Sequence, residues 1–584
     1  MNRIFDTKYL SLHQFSPKMY CFVSTRDPGI ISKLRSLKDA YVRFEEIETA
    51  SEYKTFLFHN PGGSRTEIIS HFCVNDLADY DLQQISARLL GGDFARDSLG
   101  DSLISLSCSN DEHFACLTDF WGITTHYWHS SRDTFVCGSN IFLVANIAGN
   151  EMSGEALYEY LFFSWPRKDH TWFKGIRRLL PGQQLVYNLK KREPRLSEGT
   201  DFSAFLEPAS GDLIGSVEDF FSRAKNRINP DDTNYIALSS GSDSRTVLAC
   251  LRAFHMRPHA FSFGKHDMTE TRAIARLTHR LHLPWLFIDI EGFEENFERL
   301  FAEGTFYSSG LLNPMRTHYV WMYAHVRRGS ALFEGILGSE FVKGEIAVPA
   351  MASHLHHDVI AKKGSVAASI GAYHPQLPSE FSRDMADYIQ TEFGAELLDV
   401  NSEKGKRAFQ LYLLENVPSK CFSAVISIAK MNSLAPYYPF LSPRVIRAIF
   451  DNDAGMRKSI SVRRDFIGPI RSLKAEAMIV KHMDDEIFNS VLDRNVRFRE
   501  ALESERVAKL RKRARDMRGK ARRGKLFGGQ IDVSKLVAKL RNYEIDSLCG
   551  AISFDGSKTA ASGLLANAVI NCAWLRRISE TILE

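Results

Sequence analysis

The residues able to do chemistry lie in one short run, Leu238-Ser-Ser-Gly-Ser-Asp-Ser-Arg, directly after the apolar stretch Tyr235-Ile-Ala. Small residues at a strand-to-helix junction let backbone N–H groups close on phosphate oxygens, and the start of the helix adds partial positive charge. Asp243 carries the hard oxygens that Mg²⁺ prefers, and Mg²⁺ bridges to phosphates. No lysine follows as in GxxxxGK[ST], so the run is not a Walker loop. The plainer alternative is a strand–helix turn in which Ser239 or Ser242 caps the helix. Ser244 lies outside any G-x-S-x-G elbow, so a phosphate contact suits it better than a nucleophile's role. A second cluster, Ser353-His-Leu-His-His-Asp, offers His354, His356 and His357 but no fourth metal ligand at useful spacing, which favours a polar loop.

Positioning such a loop requires a buried strand before it and a helix after it. Residues 214–227 repeat apolar positions at helical spacing, Tyr235-Ile-Ala-Leu reads as a buried strand, and 244–254 as a helix. Ala260-Phe-Ser-Phe, then 269–281, then Pro284-Trp-Leu-Phe-Ile-Asp-Ile continue the alternation, and Ala331-Leu-Phe-Glu-Gly adds a strand. Strands alternating with helices predict a parallel, doubly wound sheet. Upstream the period is shorter. Tyr20-Cys-Phe-Val-Ser, Thr55-Phe-Leu-Phe, Leu103-Ile-Ser-Leu-Ser, His113-Phe-Ala-Cys-Leu and Thr134-Phe-Val-Cys-Gly are β-type runs separated by turns. With helical stretches at 82–90 and 155–163 they predict an antiparallel-sheet domain. The chain turns polar between Lys190 and Asp212, which sets a linker at 201–215 between domains 1–200 and 216–584. From about Phe381 onward the pattern is mostly helical.

At 584 residues the chain exceeds one ordinary core. Hydrophobic residues at 44% and charged residues at 25% are the composition of a globular enzyme, and exclude a disordered or fibrous chain. The net charge of +4 gives no global pull toward nucleic acid. It conceals a basic segment, 506–525, with eleven Lys or Arg against one Asp. That segment reads as a solvated face, or as a dock for an acidic carrier, precursor peptide or anionic surface. No aromatic residues interleave with its charges, so nucleic acid is not expected. Nine scattered cysteines without a CxxC, no signal-like start and no apolar run near 18 residues predict a reduced cytoplasmic protein without a transmembrane segment.

Leu238-Ser-Ser-Gly-Ser-Asp-Ser-Arg resembles the SGGxDS[SR] pyrophosphate loop of the asparagine synthetase superfamily. Further matches follow in that family's order. Phe261-Ser-Phe-Gly with Thr269-Glu-Thr-Arg-Ala-Ile-Ala-Arg resembles the strand and acidic helix after the loop. Glu334-Gly-Ile-Leu-Gly-Ser-Glu-Phe-Val-Lys-Gly resembles the second nucleotide segment, SGxGxDExFGGY. Tyr438-Pro-Phe-Leu-Ser-Pro-Arg-Val resembles its PFLD helix start, and Arg457-Lys-Ser-Ile-Ser-Val-Arg-Arg-Asp-Phe its late K-x-x-L-R region. Upstream, Asp119-Phe-Trp-Gly-Ile with Tyr127, and Phe173-Lys-Gly-Ile-Arg-Arg-Leu-Leu-Pro-Gly, resemble segments of the glutaminase-like domain. The matches run collinearly over roughly residues 90–470.

The resemblance implies an α+β N-terminal sandwich of the Ntn-hydrolase type (αββα), then an α/β PP-loop ATP-pyrophosphatase domain with a largely helical C-terminal region. It implies ATP and Mg²⁺, with ATP on Leu238, Ser239, Ser240, Gly241, Ser242, Asp243, Ser244, Arg245, Phe263 and Gly335. Asp243 and Glu340 would hold the metal, and Asp243, Glu340 and Lys458 would act in catalysis. Glutamine-hydrolysing members carry Cys after the initiator Met; here Asn2 stands there, so the glutaminase step is expected to be absent. Ser240 replaces a glycine of the loop, Ser339 falls on the Asp of the DE pair, and Ser459 falls on the late lysine, with Lys458 one residue away. The implied activity is a glutamine-independent, AMP- and pyrophosphate-forming amide ligase or cyclase joining a carboxylate to an amine acceptor in natural-product or peptide biosynthesis. A homodimer is compatible with it. The alternatives are an ammonia-using amidotransferase for a cell-surface sugar or small acid, and a non-catalytic scaffold or binding subunit.

Overall fold

The structure, a computed structural model, describes residues 19–36, 43–47, 53–59, 68–92, 102–207, 211–229, 232–266, 268–313, 316–343, 355–356, 359, 365–375, 377, 379–394, 402–451, 472–492, 496–504, 506–508, 510–511 and 513. Its first eleven strands are β1 (Tyr20–Thr25), β2 (Arg43–Ile47), β3 (Lys54–His59), β4 (Ile68–Val74), β5 (Leu103–Ser109), β6 (His113–Leu117), β7 (Tyr127–Ser130), β8 (Thr134–Gly138), β9 (Arg177–Arg178), β10 (Gln184–Asn188) and β11 (Glu193–Leu196). They form two antiparallel sheets, in the orders β2-β3-β1-β8-β7-β9 and β11-β10-β6-β5-β4.

Alternation along the strands explains why the two sheets meet face to face. Tyr20 and Phe22 of β1 point into a core shared with Phe114, Phe135, Leu185 and Tyr187, while Cys21 and Val23 point to the opposite face. The Phe135 and Tyr187 rings, one from each sheet, stack at 3.8 Å, and Phe22 stacks on Phe114 at 4.3 Å. Helix α1 (Pro28–Ser36) follows β1. Helix α2 (Leu82–Gly91) starts on an Asp81 cap, ends on left-handed Gly92, and lays Ile85, Leu89 and Leu90 on the outer face of the second sheet. Helix α3 (Ile141–Ala148) packs on β7 and β8 of the first sheet. The layering is therefore helix, sheet, sheet, helix. Helix α4 (Gly154–Phe163) completes this half.

The second half is built on a parallel sheet of β12 (Asn234–Ala237), β13 (His259–Gly264), β14 (Trp285–Asp289), β15 (Ala331–Phe333) and β16 (Ala435–Tyr437), in the order β14-β13-β12-β15-β16. Helix α5 (Leu213–Arg227) precedes β12, α6 (Ser242–Ala253) follows it, and α7 (Thr269–Arg280) joins β13 to β14. The chain moves outward from β12 to β14 and then crosses back to β15 on the other side. The strand order thus reverses between β12 and β15, the place at which open parallel sheets of this kind put their ligands, outside the carboxyl ends of the strands. Among the described residues, the C-terminal part is helical apart from β16, a strand the helical reading from Phe381 onward does not anticipate.

The expected linker is corrected by the structure. Phe202, Phe205 and Leu206 are buried, Phe202 stacks on Trp121 at 5.3 Å, and α5 already begins at Leu213. The halves are joined by buried hydrogen bonds as well. The Asn75 side chain accepts from Tyr438 N–H (2.6 Å) and donates to Tyr438 C=O (3.1 Å), and Trp121 Nε1–H donates to Leu441 C=O (2.7 Å). One apolar cluster runs through both halves. Among the described residues, no helix is long and apolar enough to cross a membrane.

Candidate nucleotide site

The loop after β12 is organised by its own serines. Ser239 N–H donates to Ser244 Oγ (3.1 Å), Gly241 N–H to Ser239 Oγ (3.1 Å), and the two hydroxyls lie 3.0 Å apart. The capping alternative is not what the chain adopts: the residue before α6 is Gly241, and among the described residues no side chain caps the helix. The first-turn N–H groups of α6 thus have no side-chain cap among the described residues, the arrangement that favours an anion at a helix start. Ser240, which replaces a glycine of the family's loop, turns into the protein, where its N–H (3.2 Å) and Oγ–H (3.0 Å) both donate to Glu270 Oε1 on α7.

Asp243 sits on the first turn of α6 and meets the segment after β15. That segment comes very close: a Cβ on Gly335 would lie 2.7 Å from the Asp243 backbone, and one on Gly338 would lie 2.1 Å from Asp243 Oδ1. Only glycine permits this approach. Residues Gly338–Val342 make a wide helical turn that brings Ser339, Glu340 and Lys343 to Asp243. Asp243 Oδ2 accepts from Ser339 Oγ at 3.0 Å and from Lys343 Nζ at 2.9 Å. Glu476, on the helix Lys474–Met483 (α16), lies beside Ser242 and Asp243.

Among the described residues, the helices between α7 and that element are α8 (Glu291–Glu295), α9 (Phe297–Tyr307), α10 (His318–Ala324), α11 (Val366–Tyr373), α12 (Ser379–Phe393), α13 (Glu403–Asn416), α14 (Ser423–Met431) and α15 (Pro443–Asp451). Asp243, Glu340 and Glu476 thus share this part of the protein with the Lys343 ammonium and the Arg316 guanidinium. Burial, then the neighbouring Asp243 charge, pushes Glu340 up to about 7, while Arg316 and Lys343 oppose the rise. Burial pushes Glu334 up to about 8, and Tyr323 O–H donates to its Oε2 at 2.8 Å. Burial likewise raises Glu476 well above the ordinary glutamate range, with Lys343 opposing.

The other expected residues divide. Leu238 is buried, with its N–H on Phe261 C=O (2.9 Å), and Phe263 is half-buried and stacks on His318 at 4.6 Å. Arg245, expected at the phosphates, sends its guanidinium instead to Val491 C=O (2.6 Å) and Ser490 Oγ (3.3 Å), tying α6 to the turn after Phe488. Lys458, with Arg457, Ser459 and Asn2, lies outside the described residues, as do His354 and His357 and most of segment 506–525. His356 is buried among the rings of Phe162, Phe163, Phe409 and Tyr412. Cys21 lies buried within β1, so its thiol does not face solvent as a nucleophile would.

The residues present do not fit a divalent ion held by Asp243 and Glu340. An ammonium already occupies Asp243 Oδ2, and Oδ1 has no solvent-facing side. Among the described residues, no group of three or more His, Cys, Asp or Glu is arranged to hold a metal. The motif reading overlooked Lys343, Glu270 and Glu476. Lys343 left a signal, since it stands where SGxGxDExFGGY has a glycine, and Glu270 lies within the Thr269-Glu-Thr-Arg match. No protein-family model and no curated protein matches this chain.

Proposed function

We propose that the chain is an ATP-dependent, AMP- and pyrophosphate-forming amide ligase or cyclase. The observation that carries the reading is convergence: the 238–244 loop and the Gly335–Gly338 contact meet at the ends of β12 and β15, where the strand order reverses. The uncapped start of α6 supplies N–H groups for phosphate, and the Ser239–Ser244 pair fixes the loop's shape. A substrate carboxylate oxygen attacks the α-phosphorus and pyrophosphate leaves. The amine then attacks the acyl carbon, AMP leaves, and the amine proton passes to solvent or to a basic group. The chain's contribution is positioning and charge complementarity. With Cys21 buried in β1, the amine comes from the substrate itself, a second substrate or free ammonia. A cytoplasmic setting and docking of an acidic precursor on segment 506–525 belong to the same proposal.

ATP–pyrophosphate exchange over a panel of carboxylic acids tests it. Exchange with at least one acid is expected, falling about a hundredfold in Asp243→Ala; no exchange together with no ATP binding would reject the reading. A second reading, a non-catalytic scaffold, is favoured by two contacts that already occupy the loop's polar groups, Ser240–Glu270 and Asp243–Lys343. It predicts a nucleotide-independent fold and no exchange with any acid.

A further inference from the structure

We propose that a cleft between the two halves binds a small organic carboxylate on the hydroxyls of Ser423, Ser427 and Thr124, beside the charge of Lys430. None of the 238–244 loop residues lines this cleft, so the site is separate from the nucleotide reading and does not rest on it. One wall is α14, where Ser423, Ser427 and Lys430 recur at i, i+4 and i+7 and therefore lie along one face of the helix. The opposite wall belongs to the N-terminal half, with Thr124 ahead of β7 and Ser139 just after β8. Ser309, beyond the end of α9, lines it as well.

The cleft encloses about 520 Å³, part of it open to solvent, which suits a small molecule. Hydroxyls donate as well as accept, so a wall of them can close on carboxylate oxygens. Two are already used to fix the wall: Ser139 Oγ accepts from Tyr20 N–H (3.1 Å) and Ser309 Oγ from Ile141 N–H (3.2 Å). Ser423 differs. It is 3% exposed, and its Oγ has no hydrogen-bond partner among the described residues. A helical serine can satisfy its hydroxyl on the carbonyl four residues back, as Ser419 does on Glu415 C=O at 2.7 Å. A buried hydroxyl without such a bond is costly, and a ligand oxygen against this wall would supply the partner. Thr124 and Ser427 are only half-buried and belong to the part a ligand reaches first. Among the described residues, Lys430 is the one charged residue in the lining, and no Asp or Glu opposes it there. Its Nζ lies over the Phe72 ring at 4.8 Å, and it draws an anion through its charge without giving up that contact. Burial, with the Lys430 charge adding to it, pushes the neighbouring His126 down to about 4, so His126 brings no second cation at neutral pH. Hydroxyls beside one positive charge favour a carboxylate over a neutral polyol or an ammonium compound.

The test is saturation-transfer difference NMR on the full chain, titrated with acetate, lactate and malate, and with glycerol and ethylammonium as neutral and cationic probes. At least one carboxylate should bind, and the neutral and cationic probes should not. Lys430→Met, which keeps the stem over Phe72, and Ser427→Val, which puts a methyl in place of the hydroxyl, should each weaken that binding about tenfold or more. Lys430→Arg should restore most of it. Ser423→Ala only deletes an unpartnered hydroxyl, so it keeps the test open should either of the other variants fail to fold. It should weaken binding while melting no lower than wild type. Binding of none of the three carboxylates would overturn the proposal. So would glycerol binding as tightly as the best carboxylate, or wild-type affinity in both Ser423→Ala and Lys430→Met.

Discussion

Glu334 gives the clearest pH prediction at the scale of single residues. Its carboxyl is buried at the end of β15 and is pushed up to about 8, whereas a glutamate in an unfolded chain titrates near ~4.3. Between those values the folded protein binds more protons than the unfolded chain, so stability falls as pH rises. The contribution is complete below the unfolded value and is lost as pH passes about 8. Glu334→Gln keeps an acceptor for Tyr323 and removes the titration. In urea unfolding, wild type should lose roughly 2 kcal/mol more than this variant between pH 6 and pH 8. Lys343→Met alone strands Asp243 beside two other carboxyls and should cost about 3–5 kcal/mol; Asp243→Asn added to it should recover most of the loss. The loop itself was legible because its residues are contiguous and of distinctive type. Its partners were not: Glu270 lies 30 positions from Ser240 and Lys343 lies 100 positions from Asp243, so only the fold shows them as neighbours.

Between elements, the closest contact in the site is α6 against the segment after β15, and it depends on two glycines. Gly335→Ala would drive a methyl into the Asp243 backbone, which cannot rotate away, and Gly338→Ala would displace the Asp243 carboxylate. Each should cost about 2–3 kcal/mol in chemical denaturation and reduce pyrophosphate exchange along with it. Elements with strong periodicity, such as α5, α6 and the β12–β14 alternation, follow directly from residue spacing. β16 does not, because it is three residues long and contains Pro436. It is tolerated there because β16 is the sheet edge, where a missing N–H breaks no ladder on the outer side. The polar character of 190–212 suggested a free connection, but Phe202 and Phe205 within it pack on Trp121.

For the molecule as a whole, the shared core predicts one cooperative unit. Asn75 reaches from the end of β4 across to the strand and turn at 436–438, and Asn75→Ala would leave the Tyr438 N–H and C=O buried without those partners. Scanning calorimetry should show a single transition shifted down by about 2–3 kcal/mol of stability. Two separated transitions would show instead that the halves melt independently. The stack of Phe202 on Trp121 has a practical corollary. A polypeptide cut between Glu207 and Gly211 would yield two fragments, each carrying one raw side of the same apolar mass. Neither should be soluble when made alone, whereas co-expression should let them find each other and reassemble, so the two reading frames could be inherited separately only if they were always expressed together.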